Sequence, residues 1–165
     1  MSQPCLISKQ INVHKQFSKW ARRLVDANEM RTKTKQFSKI AYGNSILALD
    51  LMVTTARSYE NQIEAQIQAI SCCQDLALDM MAFMIVKHMA DTTESPLDQN
   101  QNVAKWLVNL SDLASQFYKK FPQVEMTGLF TFLIHKLREE NSFVLSYMIN
   151  QIISKMFGWS DLVIN

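Results

Sequence analysis

The stretch DLALDMMAFMIVKHMA, Asp75–Ala90, decides how this chain is read. Wound into a helix, its apolar residues (Leu76, Leu78, Met80, Met81, Phe83, Met84, Ile85, Val86 and Met89) leave almost no polar face. A helix apolar all round is buried between other helices. Its continuous apolar run, Met80–Val86, is far shorter than the ~20 residues needed to cross a bilayer. Asp75 in the first turn and His88 in the last suit the two ends of the helix dipole. The stretch therefore predicts the most buried helix of an all-α protein.

Working outward, apolar residues recur at three- and four-residue intervals along nearly all of the 165 residues. They predict about eight helices, at 11–27, 33–42, 45–58, 60–73, 75–90, 101–120, 123–139 and 142–157. Only three Gly and three Pro occur, too few for the turns of an all-β fold. Pro122 suits a helix start and Gly158 a helix end. DTTESPLDQNQN, 91–102, is polar and aperiodic and reads as the one clear loop. The expected architecture is stacked antiparallel helix pairs, an irregular α-solenoid-like segment with 1–165 as a single region. Phe143, Val144, Leu145, Met148, Ile149, Ile152, Ile153, Met156 and Phe157 cover more than one stripe of the last helix, which predicts an association surface there.

The composition, 48% apolar and 19% charged, is that of a globular protein. Charge is uneven: residues 1–39 carry nine Lys or Arg against Asp26 and Glu29, a balance of +7, and the remainder carries eight against thirteen, or −5. Cys5, Cys72 and Cys73 are an odd count. Adjacent helical residues point roughly 100° apart, so Cys72 and Cys73 are not expected to pair, and a reducing, intracellular setting fits. Asn109-Leu110-Ser111 matches a glycosylation sequon, which such a setting leaves silent.

KQFSK occurs twice, at Lys15–Lys19 and Lys35–Lys39, each followed by an apolar residue and Ala. The flanks INVH and RTKT do not match, so the copies read as two similar basic helices, with Phe17 and Phe37 inward and the lysines outward. Lys15, Lys19, Arg22, Arg23, Lys33, Lys35 and Lys39 form a candidate phosphate-contacting surface interleaved with Phe17, Trp20 and Phe37. The alternative is a solvated helix face.

No catalytic pattern emerges. His14, His88 and His135 stand apart, with none in a metal-binding pair, and His135 reads as a partly buried packing residue. Asp75 with Asp79, and Glu60 with Glu64, share helix faces but read as solvated helix starts. Gly43, Gly128 and Gly158 are isolated, so there is no phosphate loop. The residues imply no enzyme, catalytic residue, metal, cofactor or small-molecule substrate.

Two blocks carry a resemblance. Lys120–Leu162 holds Phe121-Pro122, Glu125, Gly128-Leu129-Phe130, Ser142 and Lys155-Met156-Phe157-Gly158 in order. Tyr42–Met89 holds Asn44, Tyr59-Glu60-Asn61 and the Asp79–Met89 stretch, with Ser45 and Glu60 where Pro and Asp are usual. In these features the chain resembles an internal helical segment of the THO complex subunit 2 family. The resemblance implies a non-enzymatic, nuclear scaffold within a complex that couples transcription to messenger RNA processing and export. Its partners would be other THO subunits, with messenger ribonucleoprotein contacted weakly or indirectly and no membrane. The rival expectation is a stand-alone helical RNA-binding module using 9–39.

Overall fold

A computed structural model describes residues 3–24, 30–91, 95–140 and 143–158. These form α1 (Gln3–Arg22), α2 (Met30–Gly43), α3 (Ser45–Ser58), α4 (Ile63–Ile70), α5 (Asp75–Ala90), α6 (Lys105–Lys120), α7 (Thr127–Glu140) and α8 (Phe143–Phe157), with a 3-10 turn at Glu60–Gln62. The fold is all-α, as the apolar periodicity requires.

Helix ends follow local chemistry. The Asn44 side chain accepts from the Leu47 amide at 3.1 Å and caps α3. Gly158 takes φ 70 just past α8, the left-handed termination that its position suggested. Three expected starts shift by four residues or more. α1 begins at Gln3 and not near residue 11, with Pro4 in the first turn, where a proline loses no intrahelical bond; its expected end at 27 lies outside the described residues. α6 begins at Lys105 because the preceding residues are held in a turn. The Asp98 carboxylate accepts from the amides of Asn100 and Asn102 at 2.8 and 3.0 Å, and Leu97 pairs with Val103 across the turn. α7 begins at Thr127 and not after Pro122, which lies in a turn closed by Val124 N–H donating to Phe121 C=O at 3.1 Å.

The principal contacts describe a two-layered array. Along one layer α1 touches α3, α3 touches α5 and α5 touches α7; along the other α2 touches α4, α4 touches α6 and α6 touches α8. Within the pairs α1 meets α2, α5 meets α6 and α7 meets α8, while the 3-10 turn joins α3 to α4. None of these principal contacts skips a pair, which is the connectivity of a solenoid.

α5 is not the most buried helix. Ala77, Leu78, Met81, Met84, Ile85 and His88 are buried, but Leu76 and Phe83 are 68% and 63% exposed. Among the described residues α6 buries the largest number, nine from Leu107 to Tyr118, and it touches α3, α4, α5 and α8. Its buried Asn109, Ser111 and Ser115 are satisfied by carbonyls, with Asn109 donating to Arg57 C=O at 3.0 Å and the serines to Leu107 and Asp112 C=O at 2.8 Å each. On α8, Met148 and Ile152 are buried, Ile149 and Met156 pack partly against the core, and Phe157 is exposed. Lys155 donates to Asp112 at 2.8 Å, fastening α8 to α6. Among the described residues no helix is long and apolar enough to cross a membrane.

Candidate functional site

The two KQFSK copies meet across α1 and α2. Their phenylalanines, Phe17 and Phe37, are buried and flank buried Trp20, with ring centroids 5.3 and 4.8 Å from it. The Trp20 indole N–H donates to the Lys33 carbonyl at 2.8 Å, so the aromatic cluster also fixes how α2 lies on α1. Lys15, Lys19, Lys35 and Lys39 are exposed.

Above this cluster runs a groove of about 300 Å³. It is lined by Gln16, Lys19, Trp20 and Arg23 from one side and Gln36, Lys39 and Ile40 from the other. Both copies contribute their second, fifth and following residues, so the pairs Gln16/Gln36, Lys19/Lys39 and Trp20/Ile40 occupy matching places. The floor is apolar and the rim carries three cations and two amides. Among the described residues none of Lys19, Arg23 and Lys39 is in an ion pair.

Of the candidate phosphate-contacting residues, Lys19, Arg23 and Lys39 converge on the groove. Lys15, Arg22 and Lys35 are exposed but do not line it. Lys33 is a correction. It is 5% exposed, because α2 turns this position inward beside the Trp20 indole, and it is no part of an open cationic face. With Phe17, Trp20 and Phe37 all buried, the groove offers no aromatic face on which a base could stack.

Sequence reasoning missed a polar node between α3, α5 and α6. Arg57 and His88 are both buried. Arg57 Nη1 lies 3.3 Å from His88 Nδ1, His88 Nε2 lies 3.2 Å from Asp50 Oδ1, and Lys87 donates to the same oxygen at 2.8 Å. A guanidinium can only donate, so Nδ1 accepts and Nε2–H donates to Asp50, which fixes the neutral tautomer. Burial lowers the imidazole below its ordinary 6.5, and Arg57 and Lys87 push the same way against Asp50. Burial raises the Asp50 carboxyl, but the hydrogen bonds and charges of Lys87 and His88 outweigh it and leave it below its ordinary 3.8. The Arg57 guanidinium also sits 4.5 Å over the Trp106 ring and 3.8 Å from Asp91. A charged side chain interrupting the stripe Leu49, Val53, Ala56 was the available signal.

The node is a structural lock with a pH dependence. In the unfolded chain His88 binds a proton below about 6.5, whereas the folded chain resists it, so stability falls as pH drops below that value. Asp50, depressed when folded, adds a loss of the same sign below 3.8. His88→Gln is expected to flatten urea-denaturation midpoints between pH 7 and pH 5, where the parent declines. An unchanged slope in the variant would assign the decline to other groups.

Cys72 is exposed, Cys73 is half-buried, and both thiols are free. Ser38 Oγ donates to Cys72 C=O at 3.0 Å and lies 3.9 Å from Cys73 Sγ, tying α2 to the turn before α5. Burial raises the Cys73 thiol above its ordinary value, with Cys72 adding to the rise and Ser38 opposing it. His135 is exposed, not partly buried. Asn109 of the sequon is 1% exposed and inaccessible to glycosylation. Among the described residues no three His, Cys, Asp or Glu side chains group as metal ligands.

Residues 37–111, from the second KQFSK copy into the middle of α6, match the family described as transcription- and export-related complex subunit. The chain is similar to THO complex subunit 2 of Arabidopsis thaliana, 23% identical over 123 residues, covering 74% of this chain and 7% of that protein. It is also similar to THO complex subunit 2 of Homo sapiens, 20% identical over 142 residues, covering 86% and 9% of the two. For Saccharomyces cerevisiae the values are 20% over 130 residues, 79% and 8%. The chain thus spans under a tenth of the length of these relatives, and the resemblance runs through most of it.

Proposed function

With THO complex subunit 2 as its relative, we propose that the chain is a scaffold segment of a THO complex, without turnover of its own, in the coupling of transcription to messenger RNA processing and nuclear export. The observation that carries this reading is the similarity over 74–86% of the chain to subunits so named from plant, animal and yeast. A solenoid supports it physically, because stacking helix pairs exposes long edges on which several subunits can dock. Other THO subunits are the partners, in the nucleus, and contact with messenger ribonucleoprotein is weak or indirect.

The second reading, an RNA-binding module built on 9–39, is favoured by the +7 balance of residues 1–39. Against it stands the burial of all three aromatics in the basic face. Affinity capture of the tagged chain from nuclear extract, with and without ribonuclease, separates the two. Scaffold binding is expected to bring down THO subunits regardless of ribonuclease. RNA binding would lose its captured proteins to ribonuclease and would weaken steeply with salt.

A further inference from the structure

The groove between the KQFSK copies has the build of a recognition site, and its chemistry specifies the occupant. Lys19, Arg23 and Lys39 place three cations on its rim, and among the described residues no ion pair neutralises any of them. Gln16, whose amide also donates to Asn12 Oδ1 at 3.3 Å, and Gln36 add amides that both donate and accept, as a peptide backbone does. Buried Trp20 and Ile40 form an apolar floor that suits aliphatic side chains and leaves no open ring on which a single-stranded base could stack. An anion that also presents apolar atoms and backbone amides is an acidic peptide with interspersed aliphatic side chains. We propose that this groove docks an acidic, aliphatic-containing segment of a protein partner. The proposal deepens the scaffold reading by naming the chemistry of one partner, and it rests on that reading only for the partner's being a protein.

Fluorescence anisotropy with the full 165-residue chain and a labelled Glu-Leu repeat peptide tests it. Saturable binding is expected, weakened about tenfold or more by Lys19→Glu with Lys39→Glu, because a fixed carboxylate then faces two reversed charges. Lys15→Glu with Lys35→Glu makes the same change of net charge within the same two motifs but off the groove, and is expected to shift affinity less than about twofold. A Gln-Leu peptide should not bind. Circular dichroism confirms that each variant is folded. Should the groove pair fail to fold, Lys19→Gln with Lys39→Gln takes its place, with a loss of about threefold expected. Equal weakening by the two charge-reversal pairs would reduce the effect to general electrostatics and overturn the proposal. Tighter binding of oligouridine than of the Glu-Leu peptide, or no peptide binding, would overturn it too. THO subunits captured undiminished from nuclear extract in any of these cases would leave the scaffold reading standing without the groove.

Discussion

Met84→Asp is expected to destabilise the fold strongly and lower its melting temperature steeply, while Phe83→Asp, one residue away, is expected to leave the melting curve nearly unchanged. Met84 is 2% exposed on the face that α5 turns to α3, α6 and α7, and Phe83 is 63% exposed. Burying a carboxyl without a partner forces it either to stay charged in a poor dielectric or to take up a proton at a cost. Losses of this kind reach about 4–5 kcal/mol, against a total stability of about 5–15 for an ordinary domain. The exposed site carries no such penalty and should stay within about 0.5 kcal/mol of the parent. Thermal melts followed by circular dichroism settle it, and parent-like melting of Met84→Asp would mean that α5 does not face the core as described.

That neighbouring pair shows where sequence reading stops. Phenylalanine and methionine at 83 and 84 are equally apolar, so periodicity correctly announced a helix but could not say that one side of it lacks a cover. The burial of α6 was hidden for the opposite reason. Asn109, Ser111 and Ser115 make α6 look half polar, and only the carbonyls they meet, on its own preceding turn or on Arg57, allow them inside. The shifted starts of α6 and α7 came from turn chemistry at Asp98 and at Phe121–Val124, where local bonds outcompete a helix that periodicity alone would extend.

The candidate site was legible residue by residue and not as a site. The 3.6-residue period placed Phe17 and Phe37 inside and four lysines outside, as observed. That the two copies face one another could not be read, because it depends on how α1 lies on α2, which the Trp20–Lys33 bond and the stacked rings fix. Lys33 shows the limit in one residue: its charge argued for the surface, while its place on α2 turns it inward. The Asp50–His88–Arg57 chain spans thirty-eight positions of sequence and joins through space residues that separately look like a helix-end histidine and a surface charge.

Phe37→Ala is expected to cost about 3–5 kcal/mol, the range for truncating a fully buried aromatic. Phe37 is 0% exposed, its ring lies 4.8 Å from Trp20, and α2 touches α1, α3 and α4. The loss should also be uneven along the chain. In an array whose units touch only their neighbours, stability is a sum of local terms, and damage to one interface need not spread. Phe37 belongs to the junction of the first and second pairs, so amide exchange should accelerate most in α1 through α4 and least in α7 and α8, which make no principal contact with α2. Phe17→Ala, at the same place in the first copy but on a helix whose principal contacts are only α2 and α3, should act over a shorter stretch. Hydrogen exchange read by mass spectrometry on both variants decides between an array and a single cooperative bundle. Uniform acceleration from α1 to α8 in Phe37→Ala would show that the pairs fold as one unit, and the solenoid description would hold for the connectivity but not for the energetics.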